Sequence, residues 1–418
     1  MNRRYYLPVL AALLVIFAGC HVLLPFPPGP PRGPERGSAG ERYAFSAVTH
    51  DPQGDMLRYR FTWTEDGEPT EWSEPRPSGH PVEMQHAWEL PGRYAVRAQA
   101  KDIWGLESEW SPPHHIHIGG GQSGYPDTIV ARVDAGRDPV GIAAGPDGRH
   151  VYVAARGDNQ LVVISAANNN VVARVDVGSS PHAVCVLPNG QYAYVANSGS
   201  GNVSVVRLSD LAVVATVPVG SFPYICTPSP DNQFVYVTNR SSYTVSKIRT
   251  SDNTVVGTVH TEPVPWGSAI TNCGQRLYVG GSGESRVQVI RTSDMTIVDT
   301  VMVSPGPEGM CTSPDGRHVY VACHAGDWKA ISVGENTVAA SVGIGGYPVD
   351  TEVLPSGSHA YVASHVGGTI RAIDLATNSV VWTAEGASGP NYMAALPSGD
   401  AVYVCCNFES RVWVIGRR

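Results

Sequence analysis

The chain has 418 residues, a formal net charge of −8, 45 glycines, 33 prolines and only 16% charged residues. A mildly acidic chain without basic runs excludes nucleic acid as a partner, because that binding needs clustered Lys and Arg against phosphates. Seven cysteines besides Cys20 occur with no Cys-x-x-Cys spacing. An odd number in a chain large enough to bury its own core predicts no disulfide framework, with vicinal Cys405–Cys406 the one pair able to bridge under oxidation.

Residues 1–19 begin with Arg3 and Arg4, continue through an apolar stretch from Leu7 to Phe17, and end on small residues before Cys20. This is the order of a secretory leader. Phe17-Ala-Gly-Cys20 resembles the lipobox of bacterial lipoproteins, which implies lipidation of Cys20 and a membrane partner reached through that lipid. The same resemblance implies an extracytoplasmic place in the cell envelope, and His21, where an inner-membrane retention signal has aspartate, favours the outer membrane or cell surface. Arg3-Arg-Tyr-Tyr-Leu7 resembles a twin-arginine signal, so the export route stays open. Residues 20–40 then carry Pro25, Pro27, Pro28, Pro30, Pro31 and Pro34 among glycines. Such a tract predicts an extended stalk rising about 3.1 Å per residue.

Residues 41–118 alternate with period two in Leu57-x-Tyr59-x-Phe61-x-Trp63, in Val82-x-Met84-x-His86-x-Trp88 and in Tyr94-x-Val96-x-Ala98-x-Ala100. This pattern predicts a small Ig-like β-sandwich. Asp51-Pro-x-Gly-Asp55, Pro91-Gly-x-Tyr94-x-Val96 and Ser108-Glu-Trp-Ser111 resemble the PKD modules of bacterial surface proteins, which implies a spacer, adhesion or glycan-contact role. Asp51, Asp55, Asp66 and Asp102 fall in expected loops, where a calcium ion could be held by carboxylates. Turn-forming aspartates explain them equally well. Trp63, Trp72, Trp88, Trp104 and Trp110 exceed what one small core requires, leaving a remainder for glycan contact. Residues 119–127, opening on Gly119-Gly-Gly-Gln-Ser-Gly124, read as a flexible joint.

From 128 to 418 the chain repeats. Pro139, Pro181, Pro223, Pro265, Pro307, Pro348 and Pro390 recur every 42 residues, with one step of 41, and each is followed thirteen residues later by Tyr152, Tyr194, Tyr236, Tyr278, Tyr320, Tyr361 or Tyr403. Each unit reads as four short strands with a glycine-bearing first turn such as Pro146-Asp-Gly148. Seven such units predict an all-β seven-bladed propeller. The region opens on a lone strand, Ile129 to Gly136, and closes on three, Tyr392 to Ile415, so the first strand completes the last blade. Tyr236-Val-Thr-Asn239 and Tyr194-Val-Ala-Asn197 resemble YVTN-type propeller repeats over about 128–418. Members of that family are mostly extracytoplasmic binding or scaffolding rings. The signature asparagine gives way to Ala155, Gly281, Cys323, Ser364 and Cys406 in the other blades.

The repeat disagrees with itself just after each proline, at Val140, His182, Tyr224, Trp266, Glu308, Val349 with Asp350, and Asn391 with Tyr392. Varied polar and aromatic side chains converging on one mouth make a binding site for an unidentified protein or glycan, with His182, Tyr224, Trp266, Glu308, Asp350, Asn391 and Tyr392 as its residues. No catalytic residue and no cofactor is called for. A transition metal would have to recruit His182, Glu308, Asp350, His324 and His365, none of which has a ligand spacing such as His-Glu-x-x-His. Some propellers are lactonases or lyases using a His and acidic residues at this mouth, so a hydrolase is the alternative. A structural surface coat, associating through blade rims, is the third reading.

Overall fold

The computed structural model describes residues 23–418 except 39, 65, 66, 89–91, 120–124, 263, 283 and 418, and before them only the backbone of 16–17 and 20–21. The expected leader, the Cys20 thiol, Asp66 and most of the glycine-rich joint lie outside the described residues. The chain divides into two units, Met1–Gly124 and Tyr125–Arg418. Among the described residues no helix is long and apolar enough to cross a membrane.

The first unit is the expected sandwich. One sheet has the order Arg36–Ser38, His114–Gly119, Gly92–Asp102 and Leu57–Thr62, and Arg42–Ala47 pairs with Val82–Ala87 in a second. Period-two alternation turns Leu57, Tyr59 and Phe61 inward, onto Phe45, Val82, Trp88, Val96, Ala98 and Ile116. Only part of the tryptophan excess is core. Trp72 lies under the cations of Arg60 and Lys101, at 4.4 and 4.2 Å, while Trp104 is 69% exposed.

The tract expected as a free stalk instead joins this sandwich along much of its length. Phe26 donates its N–H to the His50 carbonyl at 3.1 Å, and Arg32 and Ser46 exchange backbone bonds of 2.8 and 2.9 Å. Proline is barred from a central strand but tolerated on an edge. The residues between the prolines keep their N–H groups, and those complete the edge.

The second unit is the seven-bladed propeller, each blade a four-stranded antiparallel sheet and the first six in sequence order. The last blade runs Pro390–Ala395, Ala401–Cys406, Arg411–Gly416 and then Thr128–Asp134, with Val412 opposite Val133 and Trp413 opposite Arg132. The ring therefore closes as the lone first strand predicted. The repeated tyrosines are buried, and several latch one blade to the next through their hydroxyls. Tyr194 donates to Asn253 at 2.7 Å, Tyr278 to Asn336 at 2.6 Å and Tyr403 to Asn169 at 2.6 Å, the last of these across the closure. The accepting asparagines sit in left-handed turns at φ 55°, 52° and 58°, which asparagine tolerates better than most residues. Tyr361 donates instead to the Pro126 carbonyl, which places 125–127 in the ring rather than in a joint.

The seven cysteines of the ring are free; Cys185, Cys226, Cys323, Cys405 and Cys406 are buried, where they act as small apolar residues.

Candidate functional site

Every innermost strand begins at the repeat proline, or in the fourth blade at Val264 just before it, and every one then slips register. Pairing with the second strand breaks between Pro223 and Cys226, Pro265 and Ser268, Pro307 and Met310, and Pro390 and Met393, and similarly in the other three blades. A bulge re-aims the side chains it frees. The residues freed are those at which the repeat varies. The innermost strands also run close together: a Cβ on Gly267 would collide with the Glu308 carbonyl, and one on Gly309 with Asp350.

Five of the seven named residues meet through one carboxylate or its ring partners. Glu308 Oε1 accepts from the Tyr224 hydroxyl at 2.9 Å and from the Tyr392 hydroxyl at 3.0 Å, and Oε2 pairs with His324 Nε2. His182 stacks on Tyr224 with ring centroids 3.8 Å apart, and Trp266 packs against both Tyr224 and His324 at 6.1 and 4.8 Å. His182, Tyr224, Trp266, Glu308 and Tyr392 are buried rather than open at a rim. They form a plug across the mouth. Asp350 stands apart from it, accepting from the Met393 N–H at 2.8 Å, and Asn391 is half-buried without a hydrogen bond among the described residues.

A more exposed layer of side chains packs on this plug, and the variation after the prolines did not name it. Arg240, half-buried, holds its guanidinium over the rings of Trp266, Tyr224 and Phe222 at 5.0, 5.6 and 5.6 Å. No carboxylate pairs with it among the described residues. Tyr347, 39% exposed, stacks on His324 at 3.9 Å. The buried Trp266 Nε1 has no acceptor. Phe222 and Tyr347 each precede a repeat proline and hold φ at 56° and 64°, where blades five and seven use Gly306 and Gly389. A bulky residue at positive φ costs about 1–2 kcal/mol, and such strain clusters at functional sites. That departure from glycine was the available signal.

Burial sets the protonation of the plug. His182 is pushed down to about 3 by burial, assisted by Arg156 and Arg240, and its Nδ1 lies 3.2 Å from the Tyr224 carbonyl, which can only accept. It is therefore neutral and protonated on Nδ1. Its folded pKa is depressed, so the stability it contributes is present above about 6.5 and is lost as pH falls toward 3. Burial and then the Glu308 carboxylate push the Tyr224 and Tyr392 hydroxyls well up, which keeps them donors.

Below the plug lies an axial cavity of about 340 Å³, lined among others by Thr227, Ser268, Cys311, Asp350 and Glu352. Burial, then Glu352, raises Asp350, and burial raises Glu352 to about 7. A carboxyl raised on folding favours the folded state below its unfolded value, and that advantage disappears as pH rises through 7. Glu352→Gln is expected to stabilise the ring by about 1–3 kcal/mol at pH 8 and by nothing at pH 4. Glutamine keeps the Oε1 that accepts from the Ala395 N–H at 3.3 Å. Urea midpoints of the two proteins at both pH values check this.

Of the five residues a metal would have to recruit, only Glu308 and His324 are hydrogen-bonded to each other, and both Glu308 oxygens are taken. Among the described residues, the group of three or more metal-type side chains whose ligand atoms converge is Asp51, Asp55 and Asp102 in the first unit.

The two units match two family models. Residues 31–111 match the PKD domain, and residues 122–217 match the lactonase family described as a 7-bladed beta-propeller. No curated protein matches the chain. Among solved structures, a chain of Kuenenia stuttgartiensis Hydrazine Synthase is similar, with 20% identity, a TM-score of 0.61, and coverage of 70% of this chain and 99% of that one. At that identity the likeness carries the fold alone. The chain is thus similar to a PKD domain followed by a seven-bladed propeller.

Proposed function

We propose that the protein is a lipid-anchored binding ring of the cell envelope whose propeller mouth receives an anionic group on a protein or glycan. The anchoring part of this reading rests on Arg3, Arg4, the apolar run to Phe17 and the lipobox-like ending at Cys20. The binding part rests on Arg240. Its guanidinium has no carboxylate partner among the described residues and lies on three aromatic faces. A carboxylate, sulfate or phosphate oxygen set there pairs with the cation. Phe222 and Tyr347 then supply flat apolar walls. The likeness to YVTN-type repeats, with Tyr236-Val-Thr-Asn239 as the fullest copy, supports the same binding role.

A hydrolase is the second reading, favoured by the His324–Glu308 pair and by the match to a lactonase model. Glu308 fixes Nε2 of His324 and leaves Nδ1 as the base. Two assays separate the readings. Uronic-acid and sulfated oligosaccharides, and peptides with a free terminal carboxylate, are titrated against the intact protein and Arg240→Gln by tryptophan fluorescence. Binding weakened about 10- to 100-fold in the variant supports the mouth; equal binding by both overturns it. Lactone turnover abolished by His324→Ala would replace binding with hydrolysis as the function.

A further inference from the structure

The sandwich carries a second site that owes nothing to the propeller mouth. Asp51 and Asp55 lie in the loop after Arg42–Ala47, and Asp102 ends the long strand Gly92–Asp102. One carboxylate oxygen from each comes within 4.8 Å of the others. Turn formation explains half of what these side chains do. Asp51 Oδ1 accepts from the N–H groups of Gln53 and Asp55 at 2.8 and 3.1 Å, and Asp102 Oδ1 from those of Trp104 and Leu106 at 2.9 and 2.8 Å. The other oxygen of each is unexplained. Asp51 is 5% exposed and Asp102 is 2% exposed, and Oδ2 of both is buried without a hydrogen-bond partner. Asp55 Oδ2 accepts only from the Trp104 indole N–H, at 3.2 Å.

Three carboxylates crowded together repel, and a buried acceptor without a donor costs about 1–3 kcal/mol. No Lys or Arg pairs with any of the three among the described residues. A bound cation removes both penalties at once. The donor set is all oxygen, with no His or Cys, which selects a hard cation over a transition metal. Calcium holds oxygens at about 2.3–2.6 Å, so ligands on opposite sides of the ion stand up to roughly 5 Å apart. Magnesium, at about 2.0–2.1 Å, draws them within roughly 4.2 Å. A bound of 4.8 Å fits the larger ion, whose flexible shell also accepts ligands set by two separate turns, whereas magnesium demands near-ideal octahedral geometry.

We propose that Asp51, Asp55 and Asp102 bind one calcium ion, which clamps the 51–55 loop to the end of the strand at Asp102 and stiffens the module that precedes the ring. With three protein carboxylates and the remaining positions on water, the site belongs with extracellular modules that bind at about 0.1–1 mM.

Trp104, hydrogen-bonded to Asp55, is a reporter already in place. The full chain, stripped with EDTA, is titrated with calcium chloride and separately with magnesium chloride, following equilibrium dialysis, tryptophan fluorescence and thermal unfolding. One calcium per chain, with the sandwich transition rising by about 5 °C at saturation, is expected. Asp102→Asn keeps the oxygen that organises its turn and is expected to weaken calcium binding at least tenfold. Asp55→Asn, in a half-buried loop position, carries the same test should Asp102→Asn fold poorly. Trp104→Phe keeps stoichiometry and loses the fluorescence change. Absence of binding at about 10 mM calcium, equal affinity for magnesium, or unchanged affinity in the folded variants overturns the site.

Discussion

Glu308→Ala is expected to lower the stability of the ring by about 3–5 kcal/mol, although the residue lies in no apolar cluster. The truncation strands two buried donors, the hydroxyls of Tyr224 and Tyr392, and the part-buried Nε2 of His324. The two hydroxyls lose their carboxylate acceptor in a place where the surrounding rings keep water out. Glu308→Gln is expected to cost only about 1–2 kcal/mol, since its Oε1 still serves the tyrosines and His324 can change tautomer to accept from the new amide. Urea unfolding of the three proteins reads the order directly. Equal costs for the two variants would mean that packing, not the hydrogen-bond network, holds the plug.

The second large effect concerns closure. Deletion of Tyr125–Asp134 is expected to destabilise the ring by about 5 kcal/mol or more and to make it associate. The lost strand buries Val133 against Val412 and Val414, and the lost Pro126 carbonyl leaves the Tyr361 hydroxyl unpaired. Arg411–Gly416 then becomes an open edge, which invites pairing with another chain. Size-exclusion chromatography and thermal unfolding check both parts. A monodisperse protein with unchanged unfolding would contradict closure through this strand.

The fold was legible because the same physical unit is written seven times. One proline and one tyrosine at a constant interval give the blade, and the unpaired first strand gives its closure. The half-visible part was the plug. Variation after the prolines pointed to His182, Tyr224, Trp266, Glu308 and Tyr392, but their burial depends on a register slip that no spacing records. Glu308 is completed by His324, sixteen residues on, and alternation along one strand says nothing of contacts between loops. Phe222 and Tyr347 escaped because they precede the repeat prolines, and Arg240 because it follows the second strand Phe234–Asn239; bulky residues where sister blades keep glycine marked the first two. The proline tract was misjudged for a different reason. Composition reports what proline forbids, whereas the edge of the sandwich uses the N–H groups between the prolines.

The measurement that bears most directly on the binding role is site-specific photo-cross-linking in intact cells. A photoactivatable residue at Tyr347 samples the mouth, and one at Val255, 39% exposed on the outer strand Thr254–His260, samples the rim. The mouth probe is expected to capture a discrete partner that Arg240→Gln abolishes, with the rim probe capturing none. Capture at Val255, or capture at Tyr347 that survives Arg240→Gln, would contradict a binding site at the propeller mouth.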